Sequence, residues 1–293
     1  MQAKLIDGKE IAAQIYTELQ MRLAALSAKG IIPHLSVVLV GDDPASQVYV
    51  RTKQKTCEKY GLGSETLRLP AETPEKQVLD LLDKLNKNPQ VHGILVQLPL
   101  PKGISTQRVI EQILPEKDVD GFHPINRGRL VAGQDCFLPC TPAGMQQLLA
   151  RYGYSPENKH VVVVGRSLIV GLPFAIMMVL KKEHANATVT ICHTGTKNLA
   201  DHTRSADILV AASGRPNTIT ADMVREGVVV IDVGVNRVED PSAERGYRLI
   251  GDVDFAGVSQ KAAAITPVPG GVGPMTIAML LMNTVRAAEN SLT

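Results

Sequence analysis

Short apolar runs alternate with helical segments along most of the chain, and this alternation limits the fold more than any other feature. The first three runs have the character of buried strands: 34–40, 64–69 and 91–98. A helix is predicted between the first two, over about 44–60, and it ends at Gly61. A second is predicted over 73–88, with Thr73 as its N-cap and Pro74 at its first position. Strands that alternate with helices in this way predict a parallel sheet with helices on both faces.

A second block of the same kind follows. "HVVVVGRSLIVGLPFAIMMVLKK" at 160–182 has the pattern of a strand, a glycine turn and a helix. Further strands are predicted at 187–196, 206–213 and 227–236, and a long helix at 273–290. We therefore expect an α/β protein of two α/β domains with a cleft between them, the C-terminal one a Rossmann-type nucleotide-binding domain. The predicted domains are 1–139, completed by the helix at about 276–293, and 140–275.

Composition excludes several classes of partner. The chain has 31 basic and 29 acidic residues, and its aromatic content is 3% with no Trp. It therefore offers neither the basic surface nor the stacking side chains that nucleic acids require, and no nucleic-acid partner is expected. The N-terminus lacks the apolar core of a signal peptide, and the longest apolar run, 169–180, is too short to cross a membrane. A cytoplasmic protein without a membrane partner is predicted.

The cysteines do not predict a metal site. Cys136 and Cys140 form a CxxxC pair, but no second Cys or His pair stands nearby at the spacing of zinc ligands. We expect all four cysteines to be free thiols in a reducing compartment.

The turn after the four valines resembles a phosphate-binding loop. Its pattern is G-x-S-x-x-x-G, with Gly165, Ser167 and Gly171. In such a loop a tight turn brings backbone N–H groups and a helix N-terminus to a phosphate. A tight strand-to-helix turn without a ligand is the alternative.

The next strand favours NADP over NAD. It ends "ICHTGT" at 191–196, without the carboxylate that usually binds the ribose of NAD, and Arg166 stands inside the loop. An arginine without that acid suits the 2′-phosphate of NADP, although Arg166 could instead form a surface ion pair. His193, at the end of the same strand, could be a structural histidine, and no catalytic role is assigned to it.

Tyr49 and Lys53 form a Tyr-x-x-x-Lys pair on the first predicted helix, where positions i and i+4 share a face. Short-chain dehydrogenases use such a pair, but there it follows the glycine loop, whereas here it precedes the loop by more than a hundred residues. Short-chain dehydrogenases are therefore excluded. A half-buried tyrosine beside a surface lysine is the structural alternative.

Three further segments contain candidate site residues. Gln97 ends a strand, where open α/β sheets bind ligands. Asp118 and Asp120 lie in a segment bounded by glycine and proline, 115–130, predicted to be a loop between the domains. "TPVPGGVGPMT" at 266–276 has few side chains and would let a flat ligand approach the backbone. Each segment alone also has a purely structural explanation.

Taken together and in order, these segments identify a family. "VQLPLP", "PEKDVDGFHP", "PCTPAG", "VVVGRSLIVGLP" and "TPVPGGVGPMT" closely resemble the bifunctional methylenetetrahydrofolate dehydrogenase/methenyltetrahydrofolate cyclohydrolase family, over nearly the whole chain. The resemblance implies NADP-dependent oxidation of 5,10-methylenetetrahydrofolate to 5,10-methenyltetrahydrofolate, and hydrolysis of that product to 10-formyltetrahydrofolate. It also implies a homodimer formed through the nucleotide domains.

The resemblance assigns roles to particular residues. Lys53 matches the catalytic lysine that handles protons during hydrolysis, and Gln97 its hydrogen-bonding partner. Tyr49 matches the residue that packs on the aminobenzoyl group of folate, and Asp120 the carboxylate that pairs with the pterin. Further expected folate contacts are Val96, Leu98, Pro269, Gly270, Gly271, Val272 and Gly273. The expected NADP contacts are Gly165, Arg166, Ser167, Thr194 and Val235.

Two rival functions remain open. One is a monofunctional dehydrogenase, which loss of the lysine would indicate, and the other is a nucleotide-binding relative without catalysis. Because Lys53, Tyr49, Gln97 and Asp120 are all present, both activities are predicted. A dehydrogenase of the shikimate type is excluded by "PVPGGVGPMT" and "DVDGFHP".

Overall fold

A computed structural model describes residues 2–243 and 246–292. Contacts within the chain define two units. The glycine-loop unit takes in the described residues up to Ala13 together with Thr141–Thr276. The lysine unit takes in Gln14–Cys140 together with the described residues from Ile277 onward. Residues 1 and 293, the outer limits of the predicted first domain, lie outside the described residues.

The boundaries between the units fall inside three helices. These helices are α1 (Gly8–Ser27), α6 (Cys140–Arg151) and α10 (Val272–Asn290). The predicted C-terminal helix is therefore present, and all but its first turn belongs to the lysine unit.

The lysine unit contains a parallel sheet of three strands in the order β3-β2-β4. The strands are β2 (His34–Val40), β3 (Gly63–Leu69) and β4 (Gly93–Val96). The helices that lie between or after them are α2 (Pro44–Tyr60), α3 (Glu75–Lys87), α4 (Thr106–Gln112) and α5 (Pro124–Val131). The sheet and its first two helices follow the prediction, but α5 occupies part of the segment predicted to be a loop.

A hydrophobic cluster holds α3 against this sheet. Val78, Leu82 and Leu85 recur at helical spacing on α3 and are buried against strand residues such as Val38 and Ile94. The predicted cap of this helix is wrong by one position: the helix begins at Glu75, so its flanking residue is the proline, whose side chain cannot cap.

The glycine-loop unit contains a sheet of six parallel strands in the order β1-β11-β8-β7-β5-β6. Its strands are β1 (Lys4–Leu5), β5 (His160–Val164), β6 (Thr188–Cys192), β7 (Ile208–Ala211), β8 (Val229–Asp232) and β11 (Ala264–Ile265). Its shorter helices are α7 (Gly171–Val179), α8 (Leu199–Arg204) and α9 (Phe255–Val258). The central strands are buried except at His160, the first residue of β5, as expected for strands with both faces covered.

Two predictions about this unit are wrong. Residues 2–13 were placed in the other domain, but β1 pairs with β11 and so extends this sheet. The run 227–236 was predicted as one strand, but β8 ends at Asp232 and a new strand, β9 (Asn236–Glu239), pairs antiparallel with β10 (Tyr247–Ile250). Residues 233–235 separate β8 from β9, and within them the Gly234 N–H donates a hydrogen bond to Oδ1 of Asp232 at 3.0 Å.

Within the described residues, no helix combines the length and apolar character needed to cross a membrane.

The cluster around α3 makes a direct prediction about stability. Leu82→Ala removes a fully buried side chain and should lower the free energy of unfolding by about 2–5 kcal/mol. Leu114→Ala, at a position 38% exposed in the same unit, should change it by less than about 1 kcal/mol. Urea unfolding followed by circular dichroism measures both, and equal effects would contradict the assigned core.

Candidate active site

Local signals at both ends of α2 define the helix that carries Lys53. Asp43 precedes the helix, and its Oδ2 accepts a hydrogen bond from the Ser46 N–H at 2.7 Å, while Pro44 occupies the first turn. Gly61 ends the helix in the left-handed conformation with φ 83°. Residues next to the helix therefore determine where α2 begins and where it ends.

Lys53 is the buried cation of α2. Its side chain is only 8% exposed, and its Nζ donates a hydrogen bond to Oε1 of Gln97 at 3.0 Å. The Gln97 Nε2 donates to the Leu98 carbonyl at 2.8 Å. Because a carbonyl can only accept and an ammonium can only donate, these two partners orient the amide with its oxygen towards Lys53.

The sheet positions Gln97 directly after β4. The Gln97 N–H donates to the Val38 carbonyl at 2.9 Å, which continues the pairing of β4 with β2 by one residue. Val96 is buried in the sheet at 7% exposure, and Leu98 is partly buried. Tyr49 lies one turn before Lys53 on α2 and is 46% exposed, so its ring presents an open surface.

Asp118, which the sequence predicts only as a loop residue, is a buried acceptor of hydrogen bonds from its own loop and from α5. It is 2% exposed and accepts backbone N–H bonds from Phe122 at 3.1 Å and His123 at 2.8 Å. It also accepts from Nδ2 of Asn126, on α5, at 2.8 Å. These bonds fix the turn that carries Asp120.

Asp120 lies in the field of both Lys53 and Asp118. Burial raises the pKa of its carboxyl, the positive charge of Lys53 opposes that rise, and the negative charge of Asp118 adds to it. Burial also raises the pKa of the Cys140 thiol well above its usual range, and the charge of Asp120 raises it further. Lys53, Gln97 and Asp120 therefore form one polar cluster in which Cys140 is a neutral neighbour.

Close packing explains two of the glycines in the predicted phosphate loop. Gly165 has φ +134°, and a Cβ there would lie 2.1 Å from the Ala212 carbonyl oxygen. A Cβ at Gly171, the first residue of α7, would lie 2.1 Å from the Gly165 carbonyl oxygen. Both positions therefore exclude any larger residue, as expected where a strand turns tightly into a helix.

A cavity of about 350 Å³ opens at the carboxyl ends of β5, β6 and β7. Its lining includes four of the five predicted cofactor residues, namely Gly165, Arg166, Ser167 and Thr194. Sequence analysis missed several other lining residues, and the position of these after β6 and β7 was the available signal. They are His193, Thr196, Ser213, Arg215 and Thr218. Val235 is not in this lining and is 47% exposed after β8.

The donors of this cavity fit a phosphorylated nucleotide. Two arginines and several hydroxyl groups line it, with no carboxylate among the lining residues. Its volume lies in the range of small-molecule sites. Because residue 165 is a glycine, the turn has no side chain there, which permits the close backbone approach that a pyrophosphate needs.

The loop before α10 is held by the N-terminal segment. The Gly8 N–H donates to the Gly270 carbonyl at 3.0 Å, and a Cβ at Gly8 would lie 1.7 Å from the Gly271 carbonyl oxygen. A Cβ at Gly271 would in turn meet the Pro267 oxygen at 2.7 Å. Gly270 has φ +114°, and a Cβ at Gly273 would meet nothing within 4 Å. Packing inside the unit thus accounts for Gly271. Val272, which is 5% exposed, and Gly273 begin α10, so the side-chain-poor loop predicted over 266–276 ends at Gly271.

The four cysteines are buried free thiols, and burial raises the pKa of Cys57 to about 12. Across residues 2–243 and 246–292, no group of three or more His, Cys, Asp or Glu side chains has the arrangement of a metal site.

The fold and the two sites together define the class of protein. It is an α/β enzyme with a nucleotide cavity in one unit and a buried lysine–glutamine pair in the other. Two family models match the chain, the tetrahydrofolate dehydrogenase/cyclohydrolase catalytic domain over residues 6–120 and its NAD(P)-binding domain over 139–292. The chain belongs to the tetrahydrofolate dehydrogenase/cyclohydrolase family.

Individual relatives agree with this assignment. A curated relative from Moorella thermoacetica, named bifunctional protein FolD, is 56% identical over 99% of this chain and 100% of its own. The crystal structure of the bifunctional FolD enzyme of Campylobacter jejuni is 49% identical over 98% of this chain and 99% of its own, with a TM-score of 0.93. The FolD structure from Trypanosoma brucei, described as complexed with NADP cofactor and inhibitor, is 39% identical over 100% and 99%, with a TM-score of 0.94.

The tight turn at Gly165 predicts the effect of one added methyl group. Gly165→Ala should weaken NADP⁺ binding at least about tenfold, because the alanine Cβ cannot coexist with the Ala212 carbonyl without moving the loop. Gly153→Ala is the matched control, since Gly153 also has positive φ, +79°, but has open space around it. Calorimetric titration with NADP⁺ compares the two, and an unchanged affinity in Gly165→Ala would contradict the assignment of this loop.

Proposed function

We propose that this chain oxidises 5,10-methylenetetrahydrofolate with NADP⁺ and hydrolyses the resulting 5,10-methenyltetrahydrofolate to 10-formyltetrahydrofolate. The observation that carries the hydrolytic half is the 3.0 Å bond between Lys53 Nζ and Gln97 Oε1 in a buried position. A monofunctional dehydrogenase would have no need for a desolvated lysine there, because burying an ammonium group is costly.

Oxidation requires positioning rather than acid–base catalysis. Bound NADP⁺ supplies the acceptor for the hydride that leaves the methylene carbon, and the folate nitrogens stabilise the cation left behind. Arg166 and Thr194 would hold the 2′-phosphate, and Gly165 and Ser167 the pyrophosphate. Val235 would face the nicotinamide side.

Folate binding is assigned to side chains with complementary chemistry. The exposed ring of Tyr49 would pack on the aminobenzoyl group, and Asp120 would accept two N–H bonds from the pterin edge. Val96 and Leu98 would line the ring system beside Gln97. We also propose folate contacts at Pro269, Gly270, Gly271, Val272 and Gly273, as the family resemblance implies.

Hydrolysis requires proton transfer at two moments. Water adds to the methenyl carbon and loses a proton as the tetrahedral adduct forms. The bond from that carbon to N5 then breaks: N5 gains a proton, the hydroxyl group of the adduct releases its proton to solvent, and the carbon remains on N10 as a formyl group. Lys53, as the neutral amine beside the cationic substrate, would accept the first proton and deliver it to N5, while Gln97 keeps its Nζ directed at the adduct.

Two further features are proposals, the first from the family resemblance and the second from the sequence pattern. We propose a homodimer formed through the glycine-loop unit, and a cytoplasmic location.

Replacing Lys53 should separate the two activities. Lys53→Met keeps an unbranched side chain, one atom shorter, that cannot transfer a proton, so enzymatic hydrolysis should fall about 10²-fold or more while NADPH formation persists. Lys55→Met, at an exposed position on the same helix, should leave both activities unchanged.

The assay supplies methylenetetrahydrofolate and NADP⁺ and follows NADPH and both folate products, after subtraction of spontaneous methenyl hydrolysis. Equal hydrolysis by Lys53→Met and wild type would support the monofunctional alternative. If wild type binds NADP⁺ but forms no NADPH, the result would support the alternative of a nucleotide-binding relative without catalysis.

A further inference from the structure

A fully buried carboxylate, Asp252, lies behind the nucleotide cavity and does not belong to its lining. Its Oδ2 accepts three hydrogen bonds from the turn that follows β7. The donors are the Ser213 N–H at 2.6 Å, the Ser213 hydroxyl at 2.9 Å and the Gly214 N–H at 2.8 Å. Oδ2 of Asp252 thus accepts two backbone N–H bonds and one hydroxyl bond from the same turn.

The other carboxylate oxygen binds the segment after β8. Oδ1 of Asp252 accepts a hydrogen bond from Asn236 Nδ2 at 2.9 Å. Gly234 packs against the same oxygen so closely that a Cβ there would lie 2.1 Å away. Asp252 therefore joins the loops after two neighbouring strands, at the carboxyl edge of the sheet where nucleotides bind.

A second buried carboxylate supports the first. Asp232 accepts the Asp252 N–H at 2.9 Å and the Val253 N–H at 3.0 Å, and Gly251 packs directly on its Oδ2. Burial, together with the charge of Asp252, raises the pKa of Asp232 to about 6, although three backbone N–H bonds oppose the rise.

The turn held by Asp252 contributes directly to the cavity. Ser213 and Arg215 line it, and Arg215 is the second of its two arginines. The turn is closed locally as well, because the Arg215 N–H donates to Ser213 Oγ at 3.3 Å and its carbonyl accepts from Thr218 Oγ1 at 2.9 Å. Without Asp252, two backbone N–H groups and a hydroxyl would lose their acceptor, and a buried polar group without a partner is costly.

We infer that Asp252 is a positioning residue for the nucleotide: by holding the Ser213–Arg215 turn against the Asn236 segment, it presets the wall of the cavity that receives the phosphorylated cofactor. The inference rests on the proposed function, since it takes NADP⁺ as the occupant. Asp252 makes no contact with the reacting carbon, so its loss should affect binding of the nucleotide rather than the chemical step.

The test compares Asp252→Leu with Asp254→Leu. The first removes both acceptors and keeps the branched shape of the side chain, with larger methyl groups in place of the oxygens. The second removes the cap of α9, where Asp254 Oδ1 accepts the Gly257 N–H at 3.3 Å, without touching the cavity lining. Asp252→Leu should raise the dissociation constant and the KM for NADP⁺ at least about tenfold, with kcat at saturating NADP⁺ within about threefold of wild type. Asp254→Leu should lower the melting temperature and leave the NADP⁺ constants unchanged.

A conservative variant covers the case in which Asp252→Leu does not fold. Asp252→Asn retains a neutral oxygen for the turn, and charge-assisted bonds are about twice as strong as neutral ones, so NADP⁺ affinity should fall at least about threefold. Wild-type affinity in a folded Asp252→Leu, or in Asp252→Asn when Asp252→Leu is unfolded, would overturn the inference alone. Equal losses of affinity in Asp252→Leu and Asp254→Leu would also overturn it. A wild-type chain that binds no NADP⁺ would contradict the proposed function and the inference together.

Discussion

The hydrogen bond from Lys53 to Gln97 is the interaction on which the proposed chemistry depends. A lysine only 8% exposed loses most of its hydration, and it remains there because an amide oxygen at 3.0 Å replaces water. The parallel sheet supplies that oxygen, since Gln97 directly follows β4 and its own N–H continues the pairing to β2. A helix fixed by a cap at each end and a strand fixed by its neighbour therefore bring two distant residues together.

Buried carboxylates do similar work elsewhere in the chain. Asp118 collects the N–H groups of the turn that carries Asp120, and Asp252 collects those of the turn that lines the nucleotide cavity. In both cases a buried carboxyl group accepts several N–H bonds and so fixes a loop that carries a proposed ligand contact. Close packing also keeps these loops in place at Gly165 and Gly234, because a Cβ at either position would displace its neighbour.

Sequence patterns predicted the parts of the fold that local signals determine. The end of α2 at Gly61 is an example, since glycine alone adopts its conformation cheaply. The pairing of β1 with β11 could not be predicted, because two residues carry no periodicity and their partners lie more than 250 positions away. Asp118 and Asp252 resemble ordinary turn aspartates in the sequence, and only folding shows which donors surround them. The roles of Lys53, Gln97 and Asp120 came from the family resemblance, and the geometry supplies the physical reason for the first two.

A double-mutant cycle on Lys53 and Gln97 tests the central claim most directly. Cyclohydrolase rates are measured for wild type, Lys53→Met, Gln97→Met and the double variant, with NADPH formation as the check that each protein is folded. If the two side chains act as one unit, the double variant is no slower than Lys53→Met alone, and the non-additivity appears as a coupling of about 0.5–3 kcal/mol. If the two losses simply multiply, Gln97 does not act through Lys53, and the account of the hydrolytic site is wrong.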